Sequence, residues 1–411
     1  MRIAIVSYEF PPHNGTGGVA FYSFNLAKLL SSNHEVIVFS GSNLDLEESY
    51  LENKTEGFTS VIVNTKDDKS FTADVLSIFE KYHLKNPFDI VESPEVGACA
   101  LHIKEKYIDL NLVVKLHTPL ALLGYYTLKN SDVNFKIKWG LKSLISFGKV
   151  NAEKFYITPK HLDKEYKITQ IATKIYSPSN ALKEELGKLW QLDNHIERIP
   201  NFYPIDKSTS LSIFDSKKNT IKQKLEISFI GKLTFLKGAD TIFELISDLL
   251  KTEINFQINI IGNDGGDLFG RKYLDKFKAI INHQRVNYMN RVPNEYVLEV
   301  LRKTHILLVP SLWENQPTII FEAIANGCLV LANNIGGINE QLTEFGDGYL
   351  IHGNKKKDYL KIINDIYNDH TIFDLKVQGA IVKMSSIFKK DEFLDCHVKF
   401  YKKIIESNSR S

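Results

Sequence analysis

MRIAIVSYEFPPHNGTGGVAFYSFNLAKLLSSNHEVIVFS, residues 1–40, decides the fold. The apolar run IAIVS from Ile3 is too short for a signal peptide and reads as a buried strand. A turn bearing Gly15, Gly17 and Gly18 follows, then a helical pattern over residues 19–30, then a second β-rich run, HEVIVFS, from His34. Strand, glycine turn, helix and strand in that order open a parallel α/β sheet, since parallel strands need a crossover and a helix supplies it.

The alternation continues along the chain. SVIVN at Ser60, a helical stretch near residues 73–81, DIVES at Asp89, LVVKLH at Leu112 and KIYSPS at Lys174 complete one doubly wound domain, residues 1–203. PIDKSTSLSIFDSKKNT is polar and short of strong periodicity, so residues 204–222 are expected to be an interdomain linker. ISFIG at Ile227, a helix over residues 239–250, FQINIIG at Phe256, RVNYMN at Arg285, ILLVP at Ile306 and LVLANN at Leu329 build a second sheet in residues 223–390. The last segment, 391–411, is helical and expected to pack back on the first domain. The expected architecture is α/β, two doubly wound Rossmann-like domains facing each other across a cleft, with ligands beyond the carboxyl ends of the strands.

The 411 residues, 43% of them hydrophobic, suffice for two cores, and a formal net charge of +2 gives no global case for nucleic acid. Cys99, Cys328 and Cys396 are odd in number and far apart, which fits neither a disulfide framework nor a zinc site and points to a reducing cytosol. No apolar run approaches the ~20 residues of a spanning helix, so a soluble or peripheral protein is expected.

Chemistry concentrates in PSLWENQPTIIFEAIANGCLVLANNIGGINE, residues 310–340. Glu314 falls in a strand-to-helix loop, Pro317 suits the first helical position, and the N–H groups of Thr318 to Ile320 open the helix as a phosphate site. Glu322, about one turn further in, can accept from a ribose diol while Glu314 accepts from sugar hydroxyls. On spacing alone the pair also fits two solvated or capping glutamates. Asn315, Gln316, Thr318 and Ile319 are the accompanying donor-side candidates. Lys232 and Lys237 in FIGKLTFLKG flank another strand-end turn and can reach one diphosphate, or be solvated. His117 ends LVVKLH and is either structural or a hydrogen-bonding group for substrate. Glu92, in VESPE, either orients an acceptor hydroxyl or caps the next helix; Glu95 reads as the cap. The glycine turn fits a ligand loop or a plain tight turn equally.

Charge is unevenly spread. Residues 1–128 carry ten Lys or Arg against sixteen Asp or Glu, whereas residues 129–174 carry ten lysines against four acids. Within the basic segment, Lys136, Lys138, Lys142 and Lys149 interleave with Phe135, Ile137, Trp139, Leu141, Leu144, Ile145 and Phe147. Residues 134–156 therefore suit an anionic membrane surface, or a helix docked by its apolar face on its own domain. Such interleaving also suits single-stranded nucleic acid, but no recognition module accompanies it, and no nucleic-acid partner is expected.

Taken in order, FPPHNGTGGVAFYSFNLAKLL, FDIVESPEVGACA, VVKLHTP, IYSPSNALKEEL with RIPNFYP, FIGKLTFLKGADTI, INIIGNDGG, NRVPNEYVLEVL and the Glu314 and Glu322 stretch resemble the GT-B-fold retaining glycosyltransferases of family 4 (glycosyl transferases group 1). The resemblance spans nearly the whole chain. It implies that the second domain binds a nucleotide sugar, UDP- or GDP-linked, and the first a glycan or lipid-linked acceptor. It places Lys232 and Lys237 on the diphosphate, Glu322 on the ribose, Glu314 and His117 on the donor sugar, and Gly17 and Gly18 near the diphosphate and acceptor. Lys232 stands where the family usually has arginine, and Asn315, Gln316, Pro317 stand where glycine and phenylalanine are common.

The expected reaction is glycosyl transfer to a hydroxyl with retention, in bacterial cell-surface polysaccharide or glycolipid synthesis on the cytoplasmic side of the membrane. His117, Glu314 and Lys237 are its expected catalytic residues. No cofactor is expected beyond the nucleotide sugar, and no metal, since no convincing Asp-x-Asp motif is present. A double displacement on Glu314 and a front-face route are both open. Other readings are a nucleotide-sugar epimerase or phosphorylase on the same scaffold, or a non-catalytic sugar-binding partner subunit. An oxidoreductase is disfavoured, because no dinucleotide fingerprint precedes a ribose-binding acid.

Overall fold

The structure is a computed structural model describing residues 1–15, 17–43, 48–55, 57–131, 133–150, 158–192, 196–264, 272–353 and 355–408. It divides into two compact units. Unit 1 comprises Met1–Tyr125, Trp139–Phe202 and Lys389–Ser411; unit 2 comprises Tyr126–Lys138 and Tyr203–Phe388.

Unit 1 holds β1 (Arg2–Val6), β2 (Glu35–Ser42), β3 (Tyr50–Thr55), β4 (Phe58–Asn64), β5 (Ile90–Pro94), β6 (Leu112–Lys115), β7 (Lys174–Ser177) and β8 (Ile196–Arg198), in the order β3-β4-β2-β1-β5-β6-β7-β8. All neighbours are parallel except β3 and β4. Ile3 sits opposite both Val36 and Ile90, and Ile3 to Val6 are fully or almost fully buried, as a central strand covered on both faces requires. Succession reverses at β1, with β2 on one side and β5 on the other, so the loops after β1 and β5 border the topological switch point. The terminal helix Lys390–Asn408 adds Leu394, Phe400, Tyr401 and Ile404 to the core made by Ile3, Ile5, Leu26, Val36 and Val38.

Unit 2 holds β9 (Leu225–Ile230), β10 (Phe256–Ile261), β11 (Val286–Met289), β12 (Ile306–Val309), β13 (Leu329–Asn333) and β14 (Gly348–Ile351), all parallel, in the order β11-β10-β9-β12-β13-β14. Its switch point lies between β9 and β12. The turn carrying Lys232 and Lys237 follows the first of these, and the loop carrying Glu314 follows the second.

The stretch expected to be a linker holds a helix instead, Lys207–Lys217, assigned to unit 2. Asp206 caps it, accepting from the Thr209 N–H at 2.7 Å. Its inward face consists of Ser210, Phe214 and Lys217, only one of them strongly apolar, so a period of hydrophobicity cannot reveal it. Lys217 enters the core by donating from Nζ to the carbonyl oxygens of Leu301 at 3.1 Å, Asn326 at 2.6 Å and Thr304 at 2.5 Å. Among the described residues no helix is long and apolar enough to cross a membrane.

Candidate active site

Backbone geometry joins the two strand-end loops of unit 2. Gly238 closes the β9 turn with φ +77°, and a Cβ there would lie 2.1 Å from the Pro310 carbonyl oxygen, so only glycine lets the loops approach so closely. Beside it the Leu312 N–H donates to the Leu236 carbonyl at 2.7 Å. The Lys237 ammonium consequently meets the Glu314 carboxylate in an ion pair, with the carboxylate the more buried partner. Ser311 Oγ donates to the same Glu314 oxygen at 2.9 Å. Asn333 Nδ2 holds the Ser311 carbonyl at 3.0 Å, and Tyr359 OH donates to Asn333 Oδ1 at 2.9 Å, so the loop is anchored into the core. From the other side Gly337 N–H donates to the Glu314 carbonyl oxygen at 3.0 Å. Ser311, Asn333 and Gly336–Gly337 escaped the sequence reading, although the GG pair after β13 was a visible signal.

The helix after Glu314 runs Thr318–Ala325, with Pro317 as N-cap rather than first helical residue. That moves the expected phosphate amides. Ile320 N–H is already bonded to the Pro317 carbonyl at 3.2 Å, which leaves the Thr318 and Ile319 amides as the opening pair. Asn315 and Gln316 are buried beneath this turn, while Lys232 is exposed at its own.

Glu322 is only 6% exposed, and no side chain or amide among the described residues donates to its carboxylate. Burial alone pushes its carboxyl up to about 7. A buried acceptor of this kind is costly unless a ligand satisfies it.

In unit 1, Gly17 is the N-cap of the helix Gly18–Leu30 and has no side-chain cap. A Cβ at Gly18 would meet nothing within 4 Å, so open space borders the helix start. His117 follows β6, its ring edge-on to Tyr22 with centroids 5.4 Å apart. Burial, with the Lys115 charge second, pushes its imidazole down to about 3, so it is neutral at physiological pH.

Glu92 corrects its expected role. It is 2% exposed in the core of unit 1, where Oε1 accepts from Tyr22 OH at 2.9 Å and Tyr176 OH at 2.5 Å, and Tyr401 OH donates to Oε2. A carboxylate so committed does not orient an acceptor hydroxyl. Burial raises its carboxyl, against the three tyrosines and Lys115. Glu95 does not cap the following turn through its side chain; its carboxylate accepts the His117 N–H instead.

Two family profiles match the chain, Glycosyltransferase Family 4 over residues 16–207 and Glycosyl transferases group 1 over residues 212–378. The chain belongs to the GT-B glycosyltransferases of the family 4, group 1 type. An uncharacterized 41.2 kDa protein in the cps region of Klebsiella pneumoniae is 27% identical over 215 residues, 51% of this chain and 55% of that protein. The phosphatidylinositol N-acetylglucosaminyltransferase GPI3 subunit of Saccharomyces cerevisiae (strain YJM789) is 24% identical over 83% of this chain and 70% of its own length. The match thus spans about half of the first relative. Sucrose-phosphate synthase from Thermosynechococcus elongatus superposes with a TM-score of 0.74 at 13% identity, covering 99% of this chain and 100% of the other. Anabaena Alr3699/HepE, in complex with UDP and glucose, superposes with a TM-score of 0.65 at 14% identity, covering 98% and 100%. Glu314 and Glu322 lie in the loop and helix that follow β12, at the switch point of unit 2.

Proposed function

We propose that the protein transfers a glycosyl group from a UDP- or GDP-sugar to a hydroxyl with retention and without a bound metal. The observation that carries this reading is the buried Glu322 carboxylate, to which no described residue donates, one helical turn beyond the Thr318 and Ile319 amides, with Lys237 and Glu314 paired on the adjoining loop. A diphosphate at the helix start would bring a ribose diol to Glu322. The helix amides, Lys232 and Lys237 would stabilise charge on the departing diphosphate, and because that charge grows as the glycosidic bond breaks they would lower the barrier. Glu314 would take hydroxyls of the donor sugar, and in unit 1 the neutral His117 would offer a hydrogen bond to a substrate hydroxyl. Lys237, already paired with Glu314, would be drawn to the diphosphate as donor enters, freeing Glu314 for the sugar.

A ribose diol donates to the ionised form of Glu322 and must therefore lower its pKa on binding. UDP-sugar affinity should rise with pH up to about 7 and level off above it, one proton being released on binding at pH 6. By the same shift, the contribution of the Glu322 carboxyl itself to the stability of unit 2 is full below about 4.5, its ordinary value, and is lost as pH rises through about 7. Calorimetry in buffers of different ionisation enthalpy reads the proton directly. Glu322→Gln should abolish the release; an unchanged release would remove Glu322 from the ribose site.

We further propose a glycan or lipid-linked acceptor of the cell envelope, reached at the inner face of an anionic membrane. Support comes from the helix Val133–Phe147, which has no acidic residue. Val133, Ile137, Leu141, Leu144 and Ile145 are 45–87% exposed and share one face by their spacing. Lys136 borders that face on one side, Lys138 and Lys142 on the other. Exposed apolar stripes flanked by lysine suit a headgroup boundary. Residues 151–156 of the expected segment lie outside the described residues. Sedimentation with phosphatidylglycerol vesicles should be salt-sensitive and lost in Leu141→Asp/Ile145→Asp; no vesicle binding by the wild type would refute the contact.

A further inference from the structure

His117 opens a short segment, residues 117–120, that leads from the end of β6 into the first residue of the helix Leu120–Asn130. Leu116 N–H still bonds the Tyr176 carbonyl of β7 at 2.8 Å. Beyond it the partners become side chains. His117 N–H donates to Glu95 Oε1 at 2.7 Å and Oε2 at 2.8 Å, and Leu120 N–H donates to Glu165 Oε2 at 2.8 Å. Two carboxylates thus hold the two ends of the segment. They are linked to each other, because Glu165 Oε1 accepts from Gly97 N–H at 3.2 Å, and Gly97 lies in the turn that Glu95 opens through the Ala98 N–H at 2.9 Å. Asp163 in turn fixes the start of Glu165's helix, accepting from Glu165 N–H at 2.9 Å.

Glu95 is wholly buried and Glu165 is 6% exposed, and neither has an ion-pair partner within 4 Å among the described residues. Desolvating a carboxylate without a cation is expensive, and a loop needs no such pair merely to be packed. What the pair does provide is a fixed position for one backbone segment, the segment that carries His117.

We infer that Glu95 and Glu165 are positioning residues that set the His117 imidazole for its substrate contact by gripping both ends of segment 117–120. The inference rests on the reading of His117 as a substrate contact. A displacement of about 1 Å at such a group costs on the order of a hundredfold in rate, so loss of either grip should show in turnover.

Two readouts separate the inference from its parent. Hydrogen exchange of a peptide spanning residues 116–122 should quicken in Glu165→Ala and Glu95→Ala while peptides from β9 and β12 stay at wild-type rates. Unchanged exchange at 116–122 overturns the grip. With the donor that a UDP- and GDP-sugar panel identifies, kcat should fall about ten- to a hundredfold in Glu165→Ala with UDP affinity unchanged. Glu165→Gln, whose amide oxygen still accepts the Leu120 N–H, should recover part of the loss even if the alanine variants are poorly folded. His117→Ala/Glu165→Ala should be no slower than His117→Ala alone. Additive losses, or an equal loss of UDP affinity, overturn the inference. If His117→Ala itself turns over like wild type, the reading of His117 fails, and the exchange measurement still decides the grip.

Discussion

Lys237→Ala should lower kcat by about 10²–10³, the usual effect of removing one preorganised donor to a developing anion. Its effect on UDP affinity should be smaller. In the free protein the Lys237 ammonium is already paired with Glu314, so binding exchanges one anionic partner for another, whereas the transition state adds charge to the diphosphate that only a nearby cation answers. The variant also strands the largely buried Glu314 carboxylate beside Ser311 Oγ, its remaining donor among the described residues. Lys237→Arg restores charge but not the ammonium's compact reach, and should recover turnover only in part. Steady-state rates set against calorimetric UDP binding give the comparison. A kcat within about threefold of wild type would sink the assignment of Lys237 to the leaving group.

Gly238→Ala should be severely destabilising, by about 3 kcal/mol or more. Two costs add: a left-handed φ of +77°, and a methyl group 2.1 Å from the Pro310 carbonyl oxygen. That oxygen belongs to backbone at the end of β12 and cannot rotate away, so relief requires the Lys237 turn and the Glu314 loop to part. Urea unfolding should show the loss, together with weakened UDP binding. Gly18→Ala is the informative contrast, because no atom lies within 4 Å of a Cβ there. Equal stability of Gly238→Ala and wild type would mean that the two loops are not held together as described.

The central strands were legible because each is a short apolar run covered on both faces: Ile3 to Val6, Val36 to Phe39 and Ile306 to Val309 are buried almost throughout. Of the edge strands only β11, within RVNYMN, was legible; the other three were not. β3 reads YLENKT, β8 has three residues and β14 opens with glycine, so their membership is set by pairing with a neighbour rather than by their own pattern. The helix Lys207–Lys217 was hidden for a related reason, its core anchor being a lysine whose charge is met by backbone carbonyls.

At the site, the positions of Glu314, Lys237 and Glu322 followed from strand ends and helix starts, which spacing reveals. Their environments did not follow. That Glu322 is buried with no described residue donating to it, and that Glu92 is spent on three tyrosines from distant parts of the chain, depends on long-range packing such as the 309-residue separation between Glu92 and Tyr401. Glu95 was misread for the same reason. A capping acid and a cross-strand acid look identical in VESPE, and only the β5–β6 pairing, which sets Pro94 against Lys115, brings the Glu95 carboxylate to the His117 amide.

Incubation of the purified protein with a panel of UDP- and GDP-sugars, with nucleoside diphosphate release read beside a Glu322→Ala control, tests the central claim most directly. One donor should be hydrolysed selectively and should raise the melting temperature, with both effects lost in the control. If no nucleotide sugar is bound or turned over, the switch-point site of unit 2 is not a donor site, and the glycosyl-transfer account is contradicted.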